Sequence, residues 1–283
     1  MLKEVIRVIF NLLTSLLSKI IGVFGYELMT VIKKKRVGVR EGSLNLNIGA
    51  GEYVIDGFTS LDFYSEHYYS NKQKFLEERV EYNIRTDALP FSDNSVDNIY
   101  ISHVVEHVED KYVEYLLSEA YRVLKVSGVI RIACPDAKFL FEVSQFKNDY
   151  WSWRHKTISN KEEYSVDWDS IDQLDFLIRE IATPRFRFGK DSIDELVLKP
   201  SDIKNISYEE FINKLSNVLS FRSTSPNHHI NFWDFERLQK LGVLAGFSHI
   251  LESKQFGSIS AEMQSLKFDK TAPHMSLYVE MVK

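Results

Sequence analysis

Short strand-like segments alternate with helix-like segments between residues 44 and 136, and this alternation constrains the fold more than any other feature of the chain. Apolar residues in 109–125 recur with the 3.6-residue period of an amphipathic helix. The predicted strands are 44–48, 58–62, 81–87, 96–102 and 129–136. Strands that alternate with helices predict a parallel sheet covered on both faces, and therefore an α/β fold.

The chain after residue 147 divides into an irregular part and a regular part. Residues 148–227 are aromatic and charged and show no clean strand alternation, although a helix is predicted over 208–219. We interpret 148–227 as an insertion that covers one end of the sheet. A helix over 231–247 and two last strands, at 248–253 and 275–282, complete a predicted domain of residues 41–283.

Residues 1–40 are predicted to form an N-terminal amphipathic helix and a basic linker. Arg7 and Lys19 interrupt the apolar run, so it is shorter than the roughly 20 residues that a spanning helix needs. One interpretation places residues 1–36 in a membrane interface, with the basic residues 33–36 on lipid headgroups. The other packs the helix on its own domain or on a partner subunit, as in a homodimer.

Charge and cysteine content restrict the partners and the compartment. The net charge is −5 and the pI is about 5.9, so no long-range attraction favours nucleic acid, and no nucleic-acid partner is predicted. Cys134 is the single cysteine, which excludes an internal disulfide framework and a multi-cysteine metal site. A cytoplasmic location is expected, at the inner face of the membrane if the N-terminal helix binds lipid.

The first predicted strand runs into the turn Gly49-Ala50-Gly51. Ligands of open parallel sheets bind beyond the carboxyl ends of the strands. Glycine, which has no Cβ, lets the backbone approach such a ligand closely. A Gly-x-Gly turn alone is weak evidence, because a tight strand–helix turn has the same sequence.

Polar residues at the ends of the next strands strengthen the prediction of a ligand site. Asp62 closes the second strand, where a carboxylate can accept both hydroxyls of a ribose. Asp87 closes the third strand, placed to accept a proton of an adenine amino group while Ala88 and Leu89 cover the ring. The segment SHVVEH (102–107) follows the fourth strand and would form the floor of the same crevice.

The spacing of these residues does not suit a nicotinamide cofactor. A third glycine would be needed at position 54, which is Val54, and the acid Asp62 follows Gly51 by eleven residues instead of about 20. A Walker lysine is also missing. An adenosine ligand without phosphates is the better fit.

The segments LNLNIGAG, LD, TDALPFSDNSVDNIYISHVVEHV and EAYRVLKVSGVIRIACPD, in this order, resemble the class I S-adenosylmethionine-dependent methyltransferases, specifically the methyltransferase type 11-like branch. The resemblance covers residues 44–140, and 228–247 and 276–282 are similar to the C-terminal part of that branch. It implies a Rossmann-like, doubly wound sheet of seven mostly parallel strands with a reversed last strand. It also implies S-adenosylmethionine as the cofactor.

The resemblance further implies which residues contact the cofactor. Gly49 and Gly51 would hold the methionine part, Asp62 the ribose, and Asp87 with Ala88 the adenine. Asn47 stands where the family commonly has an acid. The full predicted cofactor site comprises Asn47, Gly49, Ala50, Gly51, Asp62, Asp87, Ala88, Leu89, Ser102 and His103.

Histidines are the candidates for a catalytic base. Histidine titrates near neutrality and can take a proton from a hydroxyl acceptor, and the candidates are His103, His107, His228 and His229. The segment HVVEH (103–107) also matches the H-x-x-E-H pattern of inverted zinc peptidases. Its third ligand is unidentified, so no metal is predicted and a zinc hydrolase is kept as a remote alternative.

The predicted function is transfer of a methyl group from S-adenosylmethionine to an oxygen or nitrogen atom of a small-molecule, sugar or glycan-precursor acceptor. The sulfonium is already activated, so catalysis is chiefly positioning in a dry crevice. The insertion would form the acceptor lid, with Trp151, Trp153, Trp168, Arg185 and Arg187. A non-catalytic module that keeps the fold for partner binding is the alternative, which the Asn47 departure keeps open.

Overall fold

A computed structural model describes residues 40, 42–51, 53–63, 79–146, 149–159, 173–182, 198–223 and 226–283. Residues 39–283 form one compact unit. The predicted N-terminal helix lies outside the described residues, as do Trp168, Arg185 and Arg187 of the predicted lid. No helix in the described part of the chain is long and apolar enough to cross a membrane.

The centre of the unit is a seven-stranded sheet with the order β3-β2-β1-β4-β5-β7-β6. The strands β1 to β5 pair in parallel, and β7 runs antiparallel to both of its neighbours, β5 and β6. The predicted mostly parallel sheet with a reversed last strand is therefore confirmed. The strands are β1 Asn45–Ile48, β2 Thr59–Asp62, β3 Val80–Glu81, β4 Val96–Ser102, β5 Leu124–Pro135, β6 His249–Glu252 and β7 Ser276–Val282.

Helices cover the sheet and build the insertion. They are α1 Asp110–Val123, α2 Ala137–Ser144, α3 Asp149–Ser159, α4 Gln173–Ile181, α5 Pro200–Ile203, α6 Tyr208–Val218 and α7 Phe235–Ala245. Short 3-10 turns occupy Val105–His107 and Ala261–Met263.

The alternation of side chains along β4 explains how the sheet has two cores. Ile99 and Ile101 are fully buried in the main hydrophobic cluster, together with residues of α1 such as Leu116. Tyr100 points to the opposite face and packs with Phe58 and Phe268 in a smaller cluster. This is the two-residue period of a strand that is covered on both sides.

The third strand is much shorter than predicted. It ends at Glu81, and the backbone of 82–87 turns, so the prediction of a strand over 81–87 is wrong beyond that residue. The Asp87 carboxylate accepts hydrogen bonds from the Asn83 amide at 2.7 Å and from the Thr86 hydroxyl at 2.8 Å. A local aspartate bond of this kind favours a turn over a strand.

The junction of α1 and β5 also differs from the prediction. The helix ends at Val123, and β5 begins at the next residue, five positions before the predicted start at residue 129. Ser127 has a positive φ of 65°, and a Cβ on Gly128 would lie 2.8 Å from the Lys125 carbonyl oxygen. A small residue with no Cβ is therefore what lets the strand continue through this point.

The insertion is more helical than predicted. The helices α3 and α4 and the short α5 lie in 148–227, where we expected irregular chain apart from the helix now assigned as α6. They pack with α2 in a second cluster that includes Leu140, Phe176 and Phe211. The α3 sequence, DYWSWRHKTIS, carries aromatic and charged residues on all sides, so it lacks the single apolar stripe that predicts a helix.

The last helix begins later than predicted. We expected a helix over 231–247, but α7 starts at Phe235 because Asp234 caps it, accepting a hydrogen bond from the Arg237 amide at 2.8 Å. It ends at Gly246, whose φ of 107° is left-handed. Residues 231–233 are extended, and Trp233 bridges Asp136 at the end of β5.

Candidate functional site

A cavity of about 270 Å³ opens at the carboxyl ends of β1 and β4. One wall is made by Asn47, the turn 49–51, Ser102 and His103. The opposite wall comes from the segment 267–271 near the C-terminus. Six of the ten predicted cofactor residues line this cavity, namely Asn47, Gly49, Ala50, Gly51, Ser102 and His103.

Glycine is needed at positions 49 and 51 of the turn for different structural reasons. Gly49 has a φ of 67°, and a Cβ there would lie 2.3 Å from Cγ2 of Val104. Gly51 has a φ of 52°, but a Cβ there would meet no atom within 4 Å. Both packing and backbone conformation therefore require glycine at position 49. At position 51 only the backbone conformation favours glycine, and the space beside Gly51 is open.

The amides of the turn are already engaged within the chain. Those of Gly49 and Ala50 both donate to the Leu61 carbonyl oxygen, at 2.8 and 3.3 Å. The Gly51 amide donates to the Asp62 carboxylate at 2.8 Å. The turn is thus held against the end of β2, and at Gly49 and Gly51 it presents backbone without a Cβ to the cavity.

Asp62 is held beside the glycine turn. Its second oxygen accepts from the Phe63 amide at 2.8 Å, and Arg79 lies 3.4 Å from the oxygen that binds Gly51. These bonds fix the orientation of the Asp62 carboxylate at the end of β2. Asp62 does not itself line the cavity.

The three residues predicted to contact adenine follow β3 in the chain. Asp87 closes the turn that follows β3, and Ala88 is exposed beside it. Leu89 is only 2% exposed, packs in the main core and donates its amide to Glu119 at 2.9 Å. None of the three is among the lining residues.

The wall formed by 267–271 was not identified from the sequence. It depends on Arg131 of β5, which is fully buried and binds Asp269 through Nε at 3.1 Å and Nη2 at 2.7 Å. Arg131 also lies 3.1 Å from Glu280 of β7. The available signal was an arginine in an otherwise apolar strand, VIRIACP, because such a residue is buried only when it is paired.

His103 is the candidate base that lines the cavity. Its φ of 55° is left-handed, which is uncommon for a residue other than glycine and is often found at functional sites. Its Nδ1 lies 3.0 Å from Glu106 Oε1 and its Nε2 lies 2.9 Å from the Ser276 hydroxyl. Both ring nitrogens therefore have a partner that orients the imidazole.

Glu106 was also missed, although it lies inside the HVVEH segment. It is 1% exposed. Burial is the largest single influence and pushes the pKa of Glu106 upward, but the charge and hydrogen bond of His103, together with smaller contributions from the neighbouring histidines, outweigh burial and leave the pKa at about 2. The carboxylate is therefore ionised at neutral pH. A glutamate three residues after a histidine on a helical turn was the signal that could have identified it.

The other histidines gather on the far side of Glu106. The rings of His107 and His229 are 4.9 Å apart. Burial, and then the charge of His107, lower the pKa of His229 to about 3, so this ring is neutral. His228 contributes its main-chain oxygen, which lies 3.0 Å from His107 Nδ1.

A second cavity of about 210 Å³ lies at the end of β5 and is lined by carboxylates, among them Asp136, Asp234 and Glu252. The pKa of Asp136 is raised to about 6, chiefly by burial and then by the charges of Glu252 and Asp234, against the hydrogen bonds from the Phe139 and Lys138 amides. This carboxylate caps α2.

A family model described as a methyltransferase domain matches residues 38–132. No curated protein matches the chain. Among solved structures, a SAM-dependent methyltransferase from Archaeoglobus fulgidus is 15% identical, with 87% of this chain and 88% of that chain covered and a TM-score of 0.41. A SAM-dependent methyltransferase from Mesorhizobium loti is 12% identical, with 86% and 91% covered and a TM-score of 0.39.

A third solved structure comes from Thermotoga maritima and is described as a SAM-dependent methyltransferase, possible histamine N-methyltransferase. It is 14% identical, with 85% of this chain and 82% of that chain covered and a TM-score of 0.36.

Proposed function

We propose that the chain is a class I S-adenosylmethionine-dependent methyltransferase, with S-adenosylmethionine as its cofactor, and that it methylates an oxygen or nitrogen atom of a small-molecule, sugar or glycan-precursor acceptor. The observation that carries this proposal is the position of the cavity. It lies at the ends of the two central strands within the matched segment, between the glycine turn and His103.

The cofactor's methionine part is assigned to the cavity wall made by Asn47, Gly49, Ala50 and Gly51, where the open space beside Gly51 supports close approach of a ligand. Ser102 and His103 line the same cavity. The ribose is assigned to Asp62, which is fixed next to Gly51 by a 2.8 Å hydrogen bond.

The adenine is assigned to Asp87 and Ala88, at the turn after the neighbouring strand β3. Leu89 is less suitable as a ring contact, since its side chain is buried in the core.

His103 is the candidate we favour for the catalytic base, because it is the one of the four histidines that lines the cavity. Glu106 orients its ring through Nδ1. The methyl group is already activated in the cofactor, so the base is needed only where the acceptor is a hydroxyl. His107, His228 and His229 are the remaining candidates, and of these His107 and His229 lie near Glu106.

The insertion is proposed to cover the acceptor. Support comes from the Glu180 carbonyl oxygen at the end of α4, which lies 2.8 Å from His229 Nδ1. Trp151 is 4% exposed and packs in the insertion core, whereas Trp153 is 42% exposed and touches the ring of His274 at 4.6 Å. Of these two tryptophans, Trp153 is therefore the one at the surface of the insertion, and we assign it to contact with the acceptor.

The location and partners are proposed from the sequence. The net charge of −5 supports a protein without a nucleic-acid partner. The apolar and basic pattern of residues 1–36 supports contact with the inner face of the membrane or with a second copy of the chain, in a cytoplasmic protein.

The first test is calorimetric titration of the purified chain with S-adenosylmethionine, followed by assay of S-adenosylhomocysteine with candidate acceptors. Binding without turnover on any sugar nucleotide or phosphorylated metabolite would favour the non-catalytic module. No binding at millimolar cofactor would refute the enzyme proposal.

The second test addresses the ribose contact. We expect Asp62→Ala to weaken cofactor binding by roughly 1–3 kcal/mol, the value of hydrogen bonds to a charged acceptor. Asp93→Ala is the control, because Asp93 is an exposed acid whose side chain pairs with Arg122. Equal affinity of Asp62→Ala and Asp93→Ala would remove the assignment of Asp62 to the ribose.

A further inference from the structure

Three potential metal ligands converge beside the cavity. Glu106, His107 and His229 each offer one ligand atom, and these atoms all lie within 4.8 Å of one another. Glu106 and His107 belong to the 3-10 turn after β4, and His229 belongs to the segment before α7. The backbone already joins these two segments, because the amides of Ile230 and Asn231 donate to the Glu106 carbonyl oxygen at 2.9 and 3.0 Å.

The two histidines are held in the tautomer that suits a metal. Nδ1 of His107 lies 3.0 Å from the His228 carbonyl oxygen, and Nδ1 of His229 lies 2.8 Å from the Glu180 carbonyl oxygen. A ring nitrogen that faces a carbonyl oxygen must carry the hydrogen, so in the neutral ring the lone pair is on Nε2. Metal-binding histidines are commonly oriented by this kind of outer contact.

Glu106 supplies a buried carboxylate with acceptor capacity left. It is 1% exposed, and neither of its side-chain oxygens receives a hydrogen bond of favourable geometry within the described residues. One oxygen lies at ion-pair distance, 3.0 Å, from His103 Nδ1. A buried carboxylate in this state is costly unless a cation or donors surround it.

We propose that Glu106, His107 and His229 bind a divalent transition-metal ion, with Zn²⁺ as the best fit. Two imidazole nitrogens and one carboxylate oxygen form a set that zinc accepts and that leaves a further position open for water or an acceptor group. Zinc bonds of about 2.0–2.2 Å place tetrahedral ligand atoms about 3.3 Å apart, so the three side chains close on the ion by small rotations.

This site differs from the pattern read in the sequence. In the sequence motif HVVEH, the two histidine ligands would be His103 and His107. In the structure, His103 lines the cavity and contacts Glu106. The third ligand, which the sequence did not identify, is His229. The sequence analysis predicted no metal. The inference stands on side-chain geometry and does not depend on the proposed methyl transfer.

The test is a zinc titration of the full chain, after dialysis against a chelator, in competition with a chromogenic zinc indicator. The variants are Glu106→Gln, His107→Gln and His229→Gln. His249→Ala is the matched control, since His249 is an exposed histidine on the edge strand β6. Circular dichroism checks that each variant is folded. Co²⁺ replaces Zn²⁺ in a parallel titration of the unmodified chain, where visible absorption reports the ligand field without any mutation.

We expect the unmodified chain and His249→Ala to bind one zinc ion per chain. Each ligand variant should lose more than the roughly 10–100-fold in affinity that loss of an outer contact costs. Co²⁺ should give the intense bands of a four- or five-coordinate ion. The proposal would be overturned by equal zinc affinity in all variants, by the absence of zinc binding in the titration of the unmodified chain, or by a Co²⁺ spectrum typical of the six-coordinate aqueous ion.

Discussion

Replacement of Arg131 by methionine should destabilise the domain in a manner that depends on pH. Arg131 is fully buried, and the side chains of Asp269 and Glu280 beside it are also fully buried. Removing one partner of a buried ion pair costs about 3–5 kcal/mol. Since a domain is stabilised by about 5–15 kcal/mol in total, Arg131→Met should lose a large part of its stability at pH 7.5.

The pH dependence follows from the two acids that remain. Without the guanidinium, burial raises the pKa of both carboxyls in the folded state above their unfolded values. A group whose folded pKa is raised contributes stability at low pH and loses it as pH rises. We therefore expect Arg131→Met to regain stability between pH 7.5 and pH 5.5, a change that the unmodified chain should not show to the same extent.

The assay is urea denaturation followed by tryptophan fluorescence at both pH values. Lys138→Met is the control, because it removes an exposed cation that pairs with Glu236 and should cost no more than about 1 kcal/mol. Arg131→Met combined with Asp269→Asn and Glu280→Gln should recover stability at pH 7.5. Asparagine is suitable at position 269, where φ is 53°. Equal losses at both pH values would refute buried charge as the cause.

Two further predictions concern the glycine turn and the second cavity. Gly49→Ala should lower the free energy of unfolding by about 2–4 kcal/mol, because the new Cβ would lie 2.3 Å from Val104 and the backbone at this position is left-handed. Gly51→Ala should lower it by only about 1–2 kcal/mol, the cost of the left-handed backbone alone, and should also weaken cofactor binding. Equal urea midpoints for the two variants would contradict this prediction. The folded pKa of Asp136 is raised from 3.8 to about 6, so its contribution to stability is lost as pH rises from 4 to 6. Asp136→Asn keeps the helix cap and should be more stable than the unmodified chain above pH 6, by on the order of 2 kcal/mol; thermal unfolding at pH 5 and pH 8 that shows no difference between the two proteins would exclude this effect.

The sequence predicted the sheet and one wall of the cavity because both depend on local patterns. The alternation of Ile99, Tyr100 and Ile101 and the glycines at 49 and 51 are readable within a few residues. The helix α3 was missed because it has no clean apolar stripe. The helix α4 does carry one, at Leu174, Leu177, Ile178 and Ile181, and was overlooked within an otherwise irregular segment.

Residues that act across long distances in the chain could not be predicted from the sequence. Arg131 binds Asp269, which lies 138 positions later in the chain. His229 lies close to Glu106 because the segment before α7 is hydrogen-bonded to the turn after β4. Neither the spacing of residues nor the composition of the chain indicates which distant residues will be in contact in the folded structure. Asp87 shows the opposite case, in which a short local turn, closed by its own carboxylate, replaced a predicted strand.

The buried arginine has a consequence for where this chain can be shortened. The segment that matches the methyltransferase model ends at residue 132, one position after Arg131, yet the side-chain and backbone acceptors of that guanidinium lie at Ser253, Lys254 and Asp269 and on β7. A fragment cut after residue 132 would leave β5 as an open edge bearing an uncompensated cation. The smallest piece that can fold as a domain therefore has to extend through the reversed strand.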